Sequence, residues 1–179
     1  LDPFIMALRR HGLPYQLVGN RGLFDQEVIR QLIFFLKLVT HPHHSLSLFQ
    51  FLHHPTFSLS PETIFNLTHQ ASRNHISLWE TINRQSDASY QKVISLINQA
   101  QVQALTDSPA KVLYTFLHQT EYVKYLLDQQ TVDSELAIKN INLFLDLVKR
   151  FETDPTRRHP PTLIELVDFL DLILEAGDN

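Results

Sequence analysis

The chain has 179 residues, 44% of them hydrophobic and 19% charged, and no cysteine. That length and apolar content suit one domain, or one domain with a piece of a second, and exclude a disordered chain. The missing thiols exclude disulfides, zinc–thiolate sites, iron–sulfur clusters and a cysteine nucleophile, and a net charge of −4 confines any polyanion contact to a local patch.

Glycine occurs at Gly12, Gly19, Gly22 and Gly177. None precedes a lysine, so the chain carries no Walker A loop, and the spacing gives no dinucleotide fingerprint. Neither a signal peptide nor an apolar run long enough to span a bilayer is visible. The first residue is Leu1. The expectation is therefore a processed chain or, by preference, a piece of a longer protein.

Apolar residues recur at three and four positions almost everywhere, which predicts an all-α, irregular multi-helix unit. A first helix runs from Phe4 to His11, stopped by Gly12 and Pro14. Tyr15 to Val18 reads as one short orphan β-strand, whose partners would lie outside the chain. Asp25 is placed to cap a helix reaching Thr40, apolar on more than one face. A loop, His41-Pro42-His43-His44, follows. Ser45 to His54 forms a short helix ended by Pro55. Ser60 caps a helix with Pro61 at its first position, reaching about Arg73.

Ser77 to Arg84 is short and carries Trp79, and Ala88 to Leu105 is longer. Ser108-Pro109 opens the next helix, with Glu121 to Leu127 as its continuation. Asp133 is expected to cap the longest helix, to about Glu152. Thr153 to Pro161 is a polar linker. Thr162 caps a last helix to Ala176, with Leu163, Leu166, Val167, Leu170 and Ile173 on one side and Glu165, Asp168, Asp171 and Glu175 on the other.

Four constellations carry potential chemistry. His41, His43, His44, His53 and His54 have ligand-type side chains but no carboxylate or thiol among them, as a solvated loop would. Asp168 and Asp171 share a helix face, where they would hold a cation or form its wet side. Arg157, Arg158 and His159 would touch phosphate or water. The turn from Pro55 to Thr63 joins two short helices, and the start of the second offers backbone N–H groups and hydroxyls to a phosphate oxygen. A plain helical corner capped by Ser60 accounts for the same residues.

The segment ALRRHGLPYQLVGNRGLFDQEVIRQLIFFLKLV resembles the second RecA-like domain of UvrD/Rep/PcrA-type superfamily 1 DNA helicases. The shared features are Gly12-Leu13-Pro14-Tyr15, Val18-Gly19, Phe24, and Glu27-Val28 leading to Leu36-Lys37-Leu38. His41-Pro42-His43-His44 stands at the family's short loop. Phe57 stands for the Arg of its Arg-Gly-Ile-Gly stretch, Ser58-Leu59-Ser60 for Gly-Ile-Gly, and Thr63 for the Thr that follows. LYTFLHQTEYVKYL is similar to the family's Thr-Gly-Tyr region, with Glu121 where glycine is usual. NINLFLDLVKRFE and PTLIELVDFLDLI match later elements in order.

The resemblance implies that residues 1–40 end the first part of a split RecA-like subdomain, 2A, and that residues 41–179 form the inserted helical subdomain, 2B. It implies an accessory role in a 3′-to-5′ DNA repair helicase of bacterial, cytoplasmic type. ATP and magnesium would be held elsewhere in the parent protein, so this piece would carry no cofactor and hydrolyse no ATP. Its partners would be duplex or forked DNA, held weakly, and the remaining helicase domains, with no membrane. Thr56, Ser58, Ser60 and Thr63 would contact phosphate, with His53 and His54 assisting when protonated. The turn departs from the family: Ser58 and Ser60 carry a Cβ where glycine is usual, and Glu62 repels phosphate. An alternative follows from AddA/RecB-like subunits, whose divergent 2B regions bind protein partners instead of DNA.

Overall fold

The computed structural model describes residues 21–177; the helix expected at Phe4 to His11 and the strand at Tyr15 to Val18 lie outside the described residues. All regular structure among the described residues is helical, with no strand. The elements are α1 (Arg21–Phe24), α2 (Glu27–Thr40), α3 (Ser45–Leu52), a 3-10 turn (Pro55–Phe57), α4 (Pro61–Asn74) and α5 (Leu78–Asn83). They continue as α6 (Ala88–Gln103), α7 (Pro109–Gln119), α8 (Tyr122–Gln129), α9 (Val132–Glu152) and α10 (Leu163–Gly177).

Short polar signals set most helix starts. Ser60, Ser77 and Ser108 each accept the N–H three residues on, and Asp87 accepts that of Ser89. Ser77 and Glu80 complete a reciprocal capping box, and Thr162 and Glu165 bond each other in the same way.

Three starts differ from expectation. Asp25 does not cap α2: Gln26 stands at that position without a side-chain bond, and Asp25 reaches Arg30 at 3.8 Å instead. Asp133 lies inside α9, because Thr131 caps it and the Ser134 hydroxyl accepts the Thr131 N–H in return. Glu121 to Leu127 does not continue α7. The chain takes a left-handed turn at Glu121 (φ 51°) before α8 begins.

Burial of nine α2 residues on more than one face makes that helix the axis of the core. It packs against α3, α6, α9 and α10. Phe35 stacks on Phe116 of α7 with ring centroids 4.1 Å apart, and Phe151 stacks on Phe169 at 4.8 Å. The buried core is one cluster from Leu23 to Ile173, continuous across residue 40. Among the described residues no helix is long and apolar enough to cross a membrane.

Candidate nucleic-acid interface

The residues between α3 and α4 form the candidate site. Pro55 starts the 3-10 turn, Phe57 is buried beneath it, and Ser58 reverses the chain with φ 55° and ψ 31°. Residues with a Cβ rarely adopt that region. Ser60 returns to extended backbone (φ −72°) and caps α4. The serine hydroxyl accepts from Thr63 N at 3.1 Å and lies 2.8 Å from the Thr63 hydroxyl. Pro61 has no N–H and that of Thr63 is taken, so the first turn of α4 offers a phosphate little beyond the Glu62 amide.

His54 differs most from expectation. It is 1% exposed, enclosed by Phe51, Phe57, Phe116 and Tyr122. Its Nδ1 accepts from Thr56 N at 3.4 Å and lies 2.8 Å from the Thr56 hydroxyl. An accepting Nδ1 places the neutral ring's proton on Nε2, which is buried and makes no hydrogen bond. Burial first, and then the charge of Lys92, lower its pKa to about 3. His54 is therefore a neutral internal cap, and the expectation of a protonated His54 at the surface is corrected. Its neighbour His53 is exposed, with Nδ1 at 2.8 Å from the Phe49 carbonyl.

A groove of about 360 Å³ opens beside the turn. Pro55, Thr56 and Ser58 form one wall; Lys92 of α6, and Thr120, Glu121, Lys124, Tyr125 and Asp128 around the α7–α8 corner, complete it. Lys92 Nζ donates to the Thr56 carbonyl at 3.3 Å, and Lys124 Nζ lies 3.7 Å from Glu121. Ser60 and Thr63 are not among the lining residues. Reading the sequence missed both lysines: each is far along the chain from the turn, and only the helix packing brings them to it.

The remaining constellations are dispersed. His43 meets the Ser77 hydroxyl at 3.0 Å, and His44 caps α3 through Nδ1. Among the described residues no three His, Asp or Glu side chains converge as a metal site would require. Lys37 pairs with Asp171, which separates it from Asp168 in role. The Arg157 guanidinium folds inward over Phe151, 3.9 Å from the ring centroid.

The family model for the UvrD-like helicase C-terminal domain matches residues 2–176. The chain belongs to that family. Among its relatives, the ATP-dependent DNA helicase PcrA of Bacillus subtilis (strain 168) is 22% identical over 181 residues, covering 94% of this chain and 24% of the relative. The proteins of that name in Staphylococcus aureus (strain Mu50) and Staphylococcus epidermidis (strain ATCC 12228) are 20% and 19% identical over the same span. The chain spans about a quarter of the length of these curated relatives.

Within this UvrD-like domain, the two left-handed residues of the groove are Ser58 (φ 55°) and Glu121 (φ 51°), the positions at which the sequence resemblance places glycine.

Proposed function

We propose that this chain is the accessory 2B-type insertion of an ATP-dependent DNA helicase, contacting duplex DNA ahead of the fork and modulating unwinding. The parent would translocate 3′ to 5′, with ATP and magnesium bound in its other domains. The observation that supports duplex contact is the left-handed Ser58 (φ 55°): it gives the chain a turn of the kind glycine favours, through which backbone can be presented to phosphate. Thr56, Ser58, Ser60 and Thr63 remain the proposed contacts, with exposed His53 beside them. Ser58 leads this set, since the Thr56 and Ser60 hydroxyls already serve internal bonds.

Fluorescence anisotropy with a short labelled duplex tests the reading. Weak binding that falls steeply with added salt is expected. No binding at low salt would remove the duplex contact. The second reading, a protein-docking module, is favoured by the acidic outer face of α10, where exposed Ile164 and Leu172 interrupt Glu165, Asp168 and Glu175. A pull-down against the remaining helicase domains, run beside the anisotropy measurement, separates the two.

A further inference from the structure

We infer that Lys92 and Lys124 form a two-point clamp for a DNA phosphate in the groove between the Ser58 and Glu121 corners, and that the Glu121 carboxylate limits its affinity. The inference rests on the duplex-binding reading and goes beyond it, since the turn alone cannot supply the charge. Its hydroxyls at Thr56 and Ser60 are already engaged by His54 and Thr63, Pro61 brings no donor, and Glu62 opposes an anion. The lysines are the groove's only cations among the described residues.

Their supports are independent of each other and rigid. Lys92 rises from α6, whose Val93, Leu96 and Ile97 are buried, and the Thr56 carbonyl holds its ammonium at the turn. Lys124 rises from the first turn of α8, fixed by buried Tyr122 and Leu126. Both side chains are exposed, so a phosphate reaches them without opening the core. An ammonium is a compact point charge with freely turning donors, which suits a phosphate approached from two sides. Glu121 competes: its carboxylate faces Lys124 at 3.7 Å, and both partners are about two-thirds exposed, so the pair is weak and displaceable. Asp128 adds a second negative charge to the same groove.

The test is anisotropy of a labelled duplex with the 179-residue chain, titrated from about 20 mM to about 200 mM salt. The variants are Lys92→Gln, Lys124→Gln, both together, Glu121→Gln, and Lys139→Gln on α9 as a cation that does not line the groove. Circular dichroism melts confirm that each is folded. The double variant is expected to bind about tenfold more weakly at low salt, with the log–log salt slope reduced by about one, as for the loss of a single phosphate contact. Glu121→Gln should tighten binding several-fold, and Lys139→Gln should leave it within about twofold. If the wild type binds and the double variant keeps its affinity and slope, the clamp is wrong while the duplex reading stands. An equal loss in Lys139→Gln reduces the effect to general charge and also overturns the clamp. Failure of the wild type to bind at low salt removes both.

Discussion

The imidazole of His54 lies 4.2 Å from the ring of Tyr122, and this contact joins the two corners of the groove. Through Nδ1 the same ring holds Thr56, so one side chain ties the 3-10 turn to the start of α8. Tyr122 is held correspondingly neutral: burial, then the charges of Glu27 and Tyr125, push its pKa up to about 12. The charge of Lys92 adds to burial in opposing protonation of His54.

This buried ring makes stability depend on acid. The folded pKa of about 3 lies below the ordinary 6.5, so the unfolded chain takes up the proton first. The stabilisation is therefore fully present above the ordinary value and is lost as pH falls from there toward 3. His54→Phe keeps the aromatic bulk but leaves Thr56 N without its acceptor, costing about 1–2 kcal/mol at neutral pH. In urea unfolding from pH 7 to pH 4, the gap between wild type and variant should shrink by roughly 1 kcal/mol per pH unit below 6, and then reverse. A gap constant with pH would show that His54 titrates normally in the folded chain.

Ser58 and Glu121 both carry a Cβ at positive φ, 55° and 51°. A residue with a Cβ is disfavoured there by about 1–2 kcal/mol, partly offset by the greater freedom of glycine in the unfolded chain. Ser58→Gly and Glu121→Gly should each raise stability by about 0.5–1 kcal/mol, read as a higher urea midpoint at unchanged slope. For Glu121 the lost exposed pair with Lys124 subtracts little. Destabilisation by either change would show that the side chain, not the turn, is what the position requires.

Capping explains why much of the helix order was legible in the sequence and some was not. Ser60-Pro61, Ser108-Pro109 and Thr162 with Glu165 are three- or four-residue signals that complete themselves locally. At α9 two residues competed, and Thr131 prevailed because Ser134 returns its bond, a partner the usual Glu or Gln rule overlooks. The loop before α3 read correctly, yet nothing local distinguished exposed His53 from buried His54. The packing of Phe116 and Tyr122, from helices far along the chain, completes the enclosure that Phe51 and Phe57 begin. The groove was illegible for the same reason, since Lys92 reaches Thr56 across 36 positions.

The cap of α5 gives a local test of the same logic. Ser77 Oγ accepts from Glu80 N at 3.1 Å, and Glu80 Oε2 accepts from Ser77 N at 2.9 Å. The Ser77 N–H, and then the Ser77 hydroxyl that also donates to Glu80 Oε2, hold the Glu80 carboxyl below its usual pKa. Ser77→Ala should lower the urea midpoint by the equivalent of about 1 kcal/mol, whereas Ser77→Gly should lower it by only a few tenths. Equal losses would mean that the hydroxyl both variants lack carries the whole effect, with nothing from backbone conformation.

Phe116 tests whether residues on either side of position 40 fold as one body. Its ring stacks on Phe35 of α2 at 4.1 Å, lies 5.9 Å from Phe51 and meets His54 edge-on at 5.6 Å. Removing it opens a cavity where α2, α3 and α7 converge, at a residue 1% exposed. Phe116→Ala should therefore cost about 3–5 kcal/mol, and Phe116→Leu markedly less. Because α2 lies in the same core cluster as α6, α9 and α10, the loss should shift one cooperative transition for the whole domain. Calorimetry and far-ultraviolet dichroism should then report coincident midpoints in wild type and Phe116→Leu alike. Two resolved transitions, with only the later one moved by Phe116→Leu, would show that α2 is energetically separate from the helices that follow and merely rests against them.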